Sequence, residues 1–328
     1  MSQHIAEVVP VELTPHPDAD SLSVVFVGGF SICVRTVDWV GKTKGIFVLP
    51  DSLCDVTRPE FTFLDRGRPL ERVKARKLRG VWSVGLLIPC DESEEFGSDH
   101  FLRLGLGWYD PEVEDSGIKL KVGHTDKVPV GYEYLSKYDL ENGRASKYKN
   151  LFIDGELVYV TQKLEGANQS VLWDGERFHV KSRNFWKKED AGCSFWQALY
   201  NAPEVMEWCK KNPKYIIVGE AIGAVKGFRY DTNGKMSFRP FDIMTPDFKF
   251  ISAKDFHSTC QSNGIISAPA VGFLKFSYSD LLLLAENPCI ITGGVSEGIV
   301  VRPEFERWDA RLGRAIVKIK SNKYLEMK

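Results

Sequence analysis

Lys163-Leu164-Glu165-Gly166-Ala167-Asn168 stands two residues behind the apolar run Leu157-Val158-Tyr159-Val160. Such a run, rich in bulky and β-branched side chains and closed by a glycine, reads as a buried strand. A lysine at the end of it suits covalent chemistry. Burial disfavours the ammonium, so the pKa of Lys163 is expected to fall and free amine to become available as a nucleophile. Gly166 is expected to form a tight turn. Alone the stretch decides little, because Lys-x-Glu-Gly also occurs in ordinary hairpins.

Its companions decide more. Ser182-Arg183-Asn184, Gly219-Glu220, Phe238 to Ile243, Glu297-Gly298-Ile299-Val300 and Lys318-Ile319-Lys320 follow in that order. With them the chain resembles the covalent nucleotidyltransferase superfamily of ATP-dependent DNA ligases, RNA ligases and mRNA capping enzymes. The ending Lys318-Ile319-Lys320-Ser321-Asn322-Lys323-Tyr324-Leu325 looks most like RNA ligases, and Asn168 matches their Lys-x-x-Gly-x-Asn pattern.

From residue 151 onward strands alternate with two helical segments. One runs from near Cys193 to Asn212, with Phe195, Leu199, Val205 and Trp208 on its apolar face. The other lies near Asp280 to Glu286, behind Ser277 or Ser279 as N-cap. This mixture is α+β rather than a regular βαβ alternation. The resemblance implies an antiparallel-sheet nucleotidyltransferase domain, the ATP-grasp-like adenylation domain of ligases, over residues 151–328.

The chemistry that the resemblance implies has three steps. Lys163 attacks the α-phosphorus of ATP and releases pyrophosphate. The AMP then passes to a 5′-phosphate, and a 3′-hydroxyl finally displaces it. Phosphoryl chemistry asks the protein mainly for positioning and charge neutralisation. Glu165, Glu220 and Glu297 are candidates to hold the waters of Mg²⁺ or Mn²⁺, since Mg²⁺ keeps much of its water shell. By resemblance Glu220 could instead bind the ribose 2′-hydroxyl. Glutamates are ordinarily surface carboxylates, but Glu220 and Glu297 border the β-rich runs Tyr215 to Val218 and Ile299 to Val301. Arg183 offers a fork of donors to a phosphate or a 3′-hydroxyl end. Phe241 is expected to stack on adenine, with Phe238 in reserve, although lone aromatics are more often core. Lys318 and Lys320 alternate along one strand and so share a face. There they can offset charge developing on the α-phosphate, unless they merely guard an exposed edge. Asn168 is a further candidate for a phosphate or strand end. The expected nucleotide-binding set is thus Lys163, Glu165, Asn168, Arg183, Glu220, Phe241, Glu297, Lys318 and Lys320. Of these, Lys163, Arg183, Glu297, Lys318 and Lys320 carry the catalysis.

Residues 1–125 read as short strands between Gly, Pro and Asp turns. The β-rich runs are Ile5 to Leu13, Leu22 to Val27, Ser31 to Val37, Gly45 to Val48 and Trp82 to Ile88. Their spacing suggests a small barrel or sandwich. The order resembles an OB-fold, and His16-Pro17-Asp18-Ala19-Asp20-Ser21-Leu22 is similar to the opening of tRNA-binding OB modules. The bland reading of that opening is a Pro/Asp turn. Arg66, Arg68, Arg72, Lys74, Arg76, Lys77 and Arg79 make the densest basic run. It is either a solvated face or, on an OB-like barrel, a groove for a nucleic-acid backbone. Gly41-Lys42-Thr43 is not a P-loop, because Thr36 occupies the required glycine position. Residues 126–150 read as a linker, punctuated by Pro129, Gly131, Asn142 and Gly143 and made basic by Lys137, Arg144, Lys147 and Lys149.

Composition bounds the rest. The chain has 328 residues, enough for two domains or one large one. Its net charge of −1 means that any nucleic-acid surface is a local patch. The seven cysteines include no C-x-x-C pair, which argues against a zinc ribbon and for reduced thiols in a cytosol-like compartment. No signal peptide or membrane span is visible, so a soluble, intracellular monomer is expected, cytoplasmic or nuclear.

The sequence ends eight residues after Lys320, where DNA ligases and capping enzymes continue into a further OB domain. An OB-like domain ahead of the catalytic one resembles the RNA ligases typified in Deinococcus and Naegleria, often called the fifth RNA ligase family. That resemblance implies nicked RNA or RNA/DNA duplexes as partners. Gln162 departs from the pattern, since many relatives carry Glu before the nucleophile. A small DNA ligase or a capping guanylyltransferase is the alternative within the superfamily, distinguished by sealing all-DNA nicks or by labelling with GTP. A non-catalytic OB-type RNA-binding protein is the alternative outside it, and the intact lysines and glutamates argue against that.

Overall fold

The computed structural model describes residues 5–28, 30–109, 123–132, 135, 138–145, 148, 150–225, 228–230, 232, 234–309 and 313–327; Lys137, Lys147 and Lys149 of the expected basic linker lie outside them. The chain divides into two units. One takes residues 151–320 with 115–140, and the other takes 2–114 with 141–150 and 321–328.

The first unit is built on antiparallel sheets. One sheet has five strands in the order Trp186–Lys187, Phe178–Ser182, Ala167–Trp173, Ile216–Ile222 and Ser237–Met244. In another, Val317–Lys320, Gly298–Pro303, Leu157–Lys163 and Ala270–Lys275 lie side by side in that order. The strand Leu157–Lys163 has neighbours on both edges. Its Val158, Tyr159 and Val160 are all buried, so the run lacks the polar alternation of a sheet with one wet face. Phe195, Trp196 and Leu199, Val205, and Phe256 come from three helices. They share one apolar cluster with Tyr159, Val171, Val180, Ile217 and Ile243 of the strands.

Two helix expectations need correction. The segment Cys193 to Asn212 is two helices, Ser194–Tyr200 and Pro203–Lys211. Pro203 sits at the first turn of the second, and it pushes Ala202 out of the helical region, to φ −127° and ψ 64°. A further helix, Ala253–Ser262, was not expected. It starts at Ser252, whose side chain accepts a hydrogen bond from the Asp255 backbone N–H at 3.0 Å. The Ser-x-x-Asp spacing was a legible capping signal. The helix Tyr278–Leu284 does begin behind Ser277.

The second unit is a set of small open sheets among the described residues. Lys44–Val48 lies between Ala6–Pro10 and Leu86–Pro89. Ala19–Val27 lies between Thr14–His16 and Phe30–Arg35. Ser52–Asp55 lies between Gly107–Trp108 and Leu70–Arg72, and Arg76–Leu78 pairs with Val81–Ser83. The pairings do not close into the expected barrel among the described residues. The run Trp82 to Ile88 is interrupted at Val84-Gly85, where Gly85 has φ +91°. Arg144, expected to make the linker basic, is buried, with its guanidinium 4.7 Å from the centre of the Phe30 ring. Among the described residues no helix is long and apolar enough to cross a membrane.

Candidate active site

Lys163 ends its strand directly opposite Gly298, and Gly298 is in turn opposite Lys320 on the next strand. Two pairs further along, Thr161, Val300 and Lys318 form the next row on the same face. Residues two apart on a strand share a face, so Lys163, Lys318 and Lys320 point to the same side. Val317 and Ile319 are buried on the other. A glycine in the middle of the row is required: a Cβ on Gly298 would lie 2.0 Å from the Ile319 carbonyl oxygen, and φ is +138°. Its predecessor Glu297 is buried, with its carboxylate Oε2 2.8 Å from Lys163 Nζ.

The second sheet supplies the rest. Asn168 is opposite Glu220, and Glu220 is opposite Arg239. Gly166 serves this approach rather than a left-handed turn. A Cβ there would lie 2.5 Å from the Ala221 carbonyl oxygen and 2.7 Å from Glu220 Cγ. Phe241 falls at an irregularity, since Val218 pairs with Asp242 while Gly219 pairs with Pro240. The extra residue of such a bulge is left out of the ladder and its side chain re-aimed. Phe241 is half-buried, 5.1 Å from the Tyr138 ring centre. The reserve candidate Phe238 is a core residue packed on Gly219, where a Cβ would sit 2.6 Å from its ring.

The electrostatics reverse one expectation. Burial does pull the Lys163 pKa down, but Glu297, Glu220 and Glu165 outweigh it, and the pKa stands above the ordinary lysine value. Sequence reasoning counted the burial and not the carboxylates. The depressed lysine is Lys318. Burial, then the positive charges of Lys320 and Lys163, push it down to about 8, with Asp139 working against them and Arg183 with them. Burial also raises the Glu297 carboxyl, against the pull of Lys163.

Several partners were not legible. Tyr230 is buried, and its hydroxyl accepts the Glu165 backbone N–H at 2.7 Å, tying down the residue two past the nucleophile. Arg183 bonds to Asp139, in the stretch read as linker. The neighbouring Tyr138 hydroxyl donates to Asp242 Oδ2 at 2.8 Å. Gln162 is spent on the backbone. Its Nε2 donates to the Pro288 carbonyl at 3.1 Å, and its Oε1 accepts from the Ile290 N–H at 2.7 Å. It therefore pins the segment leading to Glu297 instead of facing a base.

Among the described residues no three Asp, Glu, His or Cys side chains converge to ligate an ion directly. Glu165, Glu220 and Glu297 nevertheless all act on the Lys163 amine, and that donor set suits a hydrated Mg²⁺ or Mn²⁺ held through its waters. A groove of about 410 Å³ lined by Trp208, Tyr215, Ile251 and Asp255 shares no residue with this constellation.

In the second unit the basic run is divided. Arg66, Arg68, Lys74, Lys77 and Arg79 are exposed and Arg76 half-buried. Arg72 is committed: Nε donates to Asp51 at 2.9 Å, and the guanidinium lies 3.7 Å from the centre of the Tyr109 ring.

The RNA ligase family model matches residues 156–320, about half of the chain. No curated protein matches by sequence. Among solved structures, a Naegleria gruberi RNA ligase mutant with AMP and Mn is similar at 22% identity and a TM-score of 0.80, with 99% of each chain covered. A mutant of the same enzyme with ATP and Mn gives 22% and 0.79, again with 99% of each chain covered. The same enzyme with pyrophosphate gives 23% and 0.78, covering 99% of this chain and 98% of that one. At these identities the likeness shows the fold.

Proposed function

This chain belongs to the RNA ligase family, and we propose that it joins a 3′-hydroxyl RNA end to a 5′-phosphate end at the expense of ATP. The neutral Lys163 amine attacks the α-phosphorus, the bond to the β-phosphate oxygen breaks, and pyrophosphate leaves. A 5′-phosphate oxygen then displaces the lysine from the phosphoramidate. Finally the 3′-hydroxyl attacks the activated 5′-phosphate and AMP departs. The observation that carries this reading is the row Lys163, Gly298, Lys320 with Glu297 at 2.8 Å from the amine. It gathers a nucleophile, a carboxylate and a second cation from across 157 residues of chain.

The proposed roles rest on the chemistry of each side chain and on the family resemblance. Lys318 and Lys320 offset negative charge on the α-phosphate. Arg183 and Asn168 bind a phosphate or a strand end, and Phe241 stacks on adenine. Glu165, Glu220 and Glu297 hold a divalent ion through water, and that ion supplies positive charge favouring the neutral amine. Support comes from the structural neighbours, Naegleria gruberi RNA ligase mutants with ATP or AMP and Mn. The family points to RNA. Nicked RNA or RNA/DNA duplexes are the proposed substrates, because a ribose 2′-hydroxyl offers an extra donor and acceptor.

Residues 1–125 are proposed as an OB-like nucleic-acid-binding domain, with the exposed members of the basic run on the backbone. Residues 126–150 are proposed to lead into the nucleotidyltransferase domain, residues 151–328, with Tyr138 and Asp139 packed against that domain. The protein is taken as an intracellular monomer. Incubation with α-labelled ATP and Mg²⁺ should label the wild type covalently and leave Lys163→Ala unlabelled. Equal labelling of both would sink the reading.

A further inference from the structure

Asp139 lies in a stretch that sequence reasoning assigned to a linker, yet its carboxylate is bonded to the guanidinium of Arg183, and both side chains are about four-fifths buried. Its electrostatic effect extends to Lys318, where it opposes the repulsion from Lys320, Lys163 and Arg183. The preceding residue is anchored independently. Tyr138 donates to Asp242 and packs against Phe241 at 5.1 Å. Tyr138 thus anchors the chain beside Asp139, and a turn of the Asp139 carboxylate side chain breaks its contact with the Arg183 fork. Arg183 and Lys318 are the cations assigned above to phosphate, and a carboxylate is the side-chain group nearest to a phosphate in geometry and charge.

We propose that Asp139 is an internal stand-in for phosphate, occupying the Arg183 fork until a phosphate group of a nucleotide or of a 5′-phosphorylated RNA end displaces it. This rests on the ligase reading and refines it. A phosphate carries more charge and more acceptor oxygens than a carboxylate, so it wins the exchange, but its apparent affinity is reduced by the fraction of protein in which the fork is taken. The same competition would discriminate against ligands with a single weak anionic group. The opposite possibility is that Asp139 orients Arg183 for binding, as carboxylates do for many working arginines. The two roles give opposite signs on removal.

The test uses the full chain, with inorganic pyrophosphate and a 5′-phosphorylated oligoribonucleotide as two separate probes in calorimetric titrations. Thermal melts confirm folding of each variant. Asp139→Asn keeps the shape and removes the charge, and it should tighten at least one probe about fivefold, the scale of a partly buried ion pair. Which probe responds identifies the source of the phosphate. The gain should vanish when Asp139→Asn is placed in an Arg183→Ala background, because the competition runs through that fork. Asp139→Ala should behave like Asp139→Asn. Unchanged or weaker binding of both probes would overturn the inference. So would a gain that persists without Arg183, which would mean only a general field effect. Failure of the underlying reading looks different: a wild type that binds neither probe and is not labelled by ATP removes the ligase assignment and this inference together.

Discussion

Two buried clusters of charge lie in the catalytic unit, and they are balanced in opposite ways. Around Asp242 every charge has a partner. Its oxygens receive Arg302 Nη1 at 2.8 Å, Arg314 Nη1 at 2.6 Å and the Tyr138 hydroxyl at 2.8 Å, while Arg314 also pairs with Glu306 at 2.7 Å. Burial would raise the Asp242 carboxyl, but the two arginines outweigh it and hold it below the usual range. Around Lys163 the neighbouring charges push in opposing directions. Three carboxylates press on one amine and hold its proton on, while Lys318 is driven down to about 8. A closed cluster holds a fold in register. The other shifts its own lysines in opposite directions, and a metal ion and phosphates are its proposed ligands. Buried charge points to a reactive site where neighbouring groups shift its pKa strongly.

Breaking the closed cluster should cost the most. Asp242→Ala leaves Arg302 and Arg314 buried without their shared carboxylate, and a loss of about 3–5 kcal/mol in unfolding free energy is expected from denaturant titration. A loss under 1 kcal/mol would remove the contrast. Glu297→Gln should instead act on rate. Lysyl-AMP formation is expected to fall by about 100-fold or more, the scale of a lost electrostatic stabiliser. The melting temperature should change little, because Lys163 is 20% exposed and can shed its proton.

The Lys318 ammonium gives a smaller, pH-dependent effect. Its cationic form, the one proposed to bind phosphate, prevails below about pH 8, so kcat/KM for ATP should fall as pH rises through that value. Lys318→Arg keeps its charge and should flatten that limb even if the plateau is lower. An unchanged limb would assign it to another group. The basic run should matter least for chemistry. Replacing Arg66, Arg68, Lys74, Lys77 and Arg79 with serine should leave adenylation intact. RNA affinity should become less steep in salt by about one unit of slope per lost phosphate contact. An unaltered slope would make the run a solvated face.

Several features were written locally in the sequence. The buried strand behind Lys163 followed from Leu157 to Val160, and the shared face of Lys318 and Lys320 from their spacing. Others failed for identifiable reasons. One helix was expected where Pro203 makes two, and the Ser252 cap was overlooked. The contacts of Tyr138 and Asp139, in the stretch that reads as linker, are not legible because nothing adjacent to them in sequence signals Asp242 or Arg183, which lie 104 and 44 residues away. Tyr230 is 65 residues from the N–H it accepts.

By itself the sequence named the candidate side chains and determined which of them share a strand face, since strand periodicity and glycine positions are local properties. Only the tertiary structure decided how those side chains share charge. Whether a lysine holds or gives up its proton depends on which carboxylates and cations face it through space. Antiparallel pairing brings them there from distant strands, and so the amine expected to be depressed is raised while Lys318 takes the downward shift.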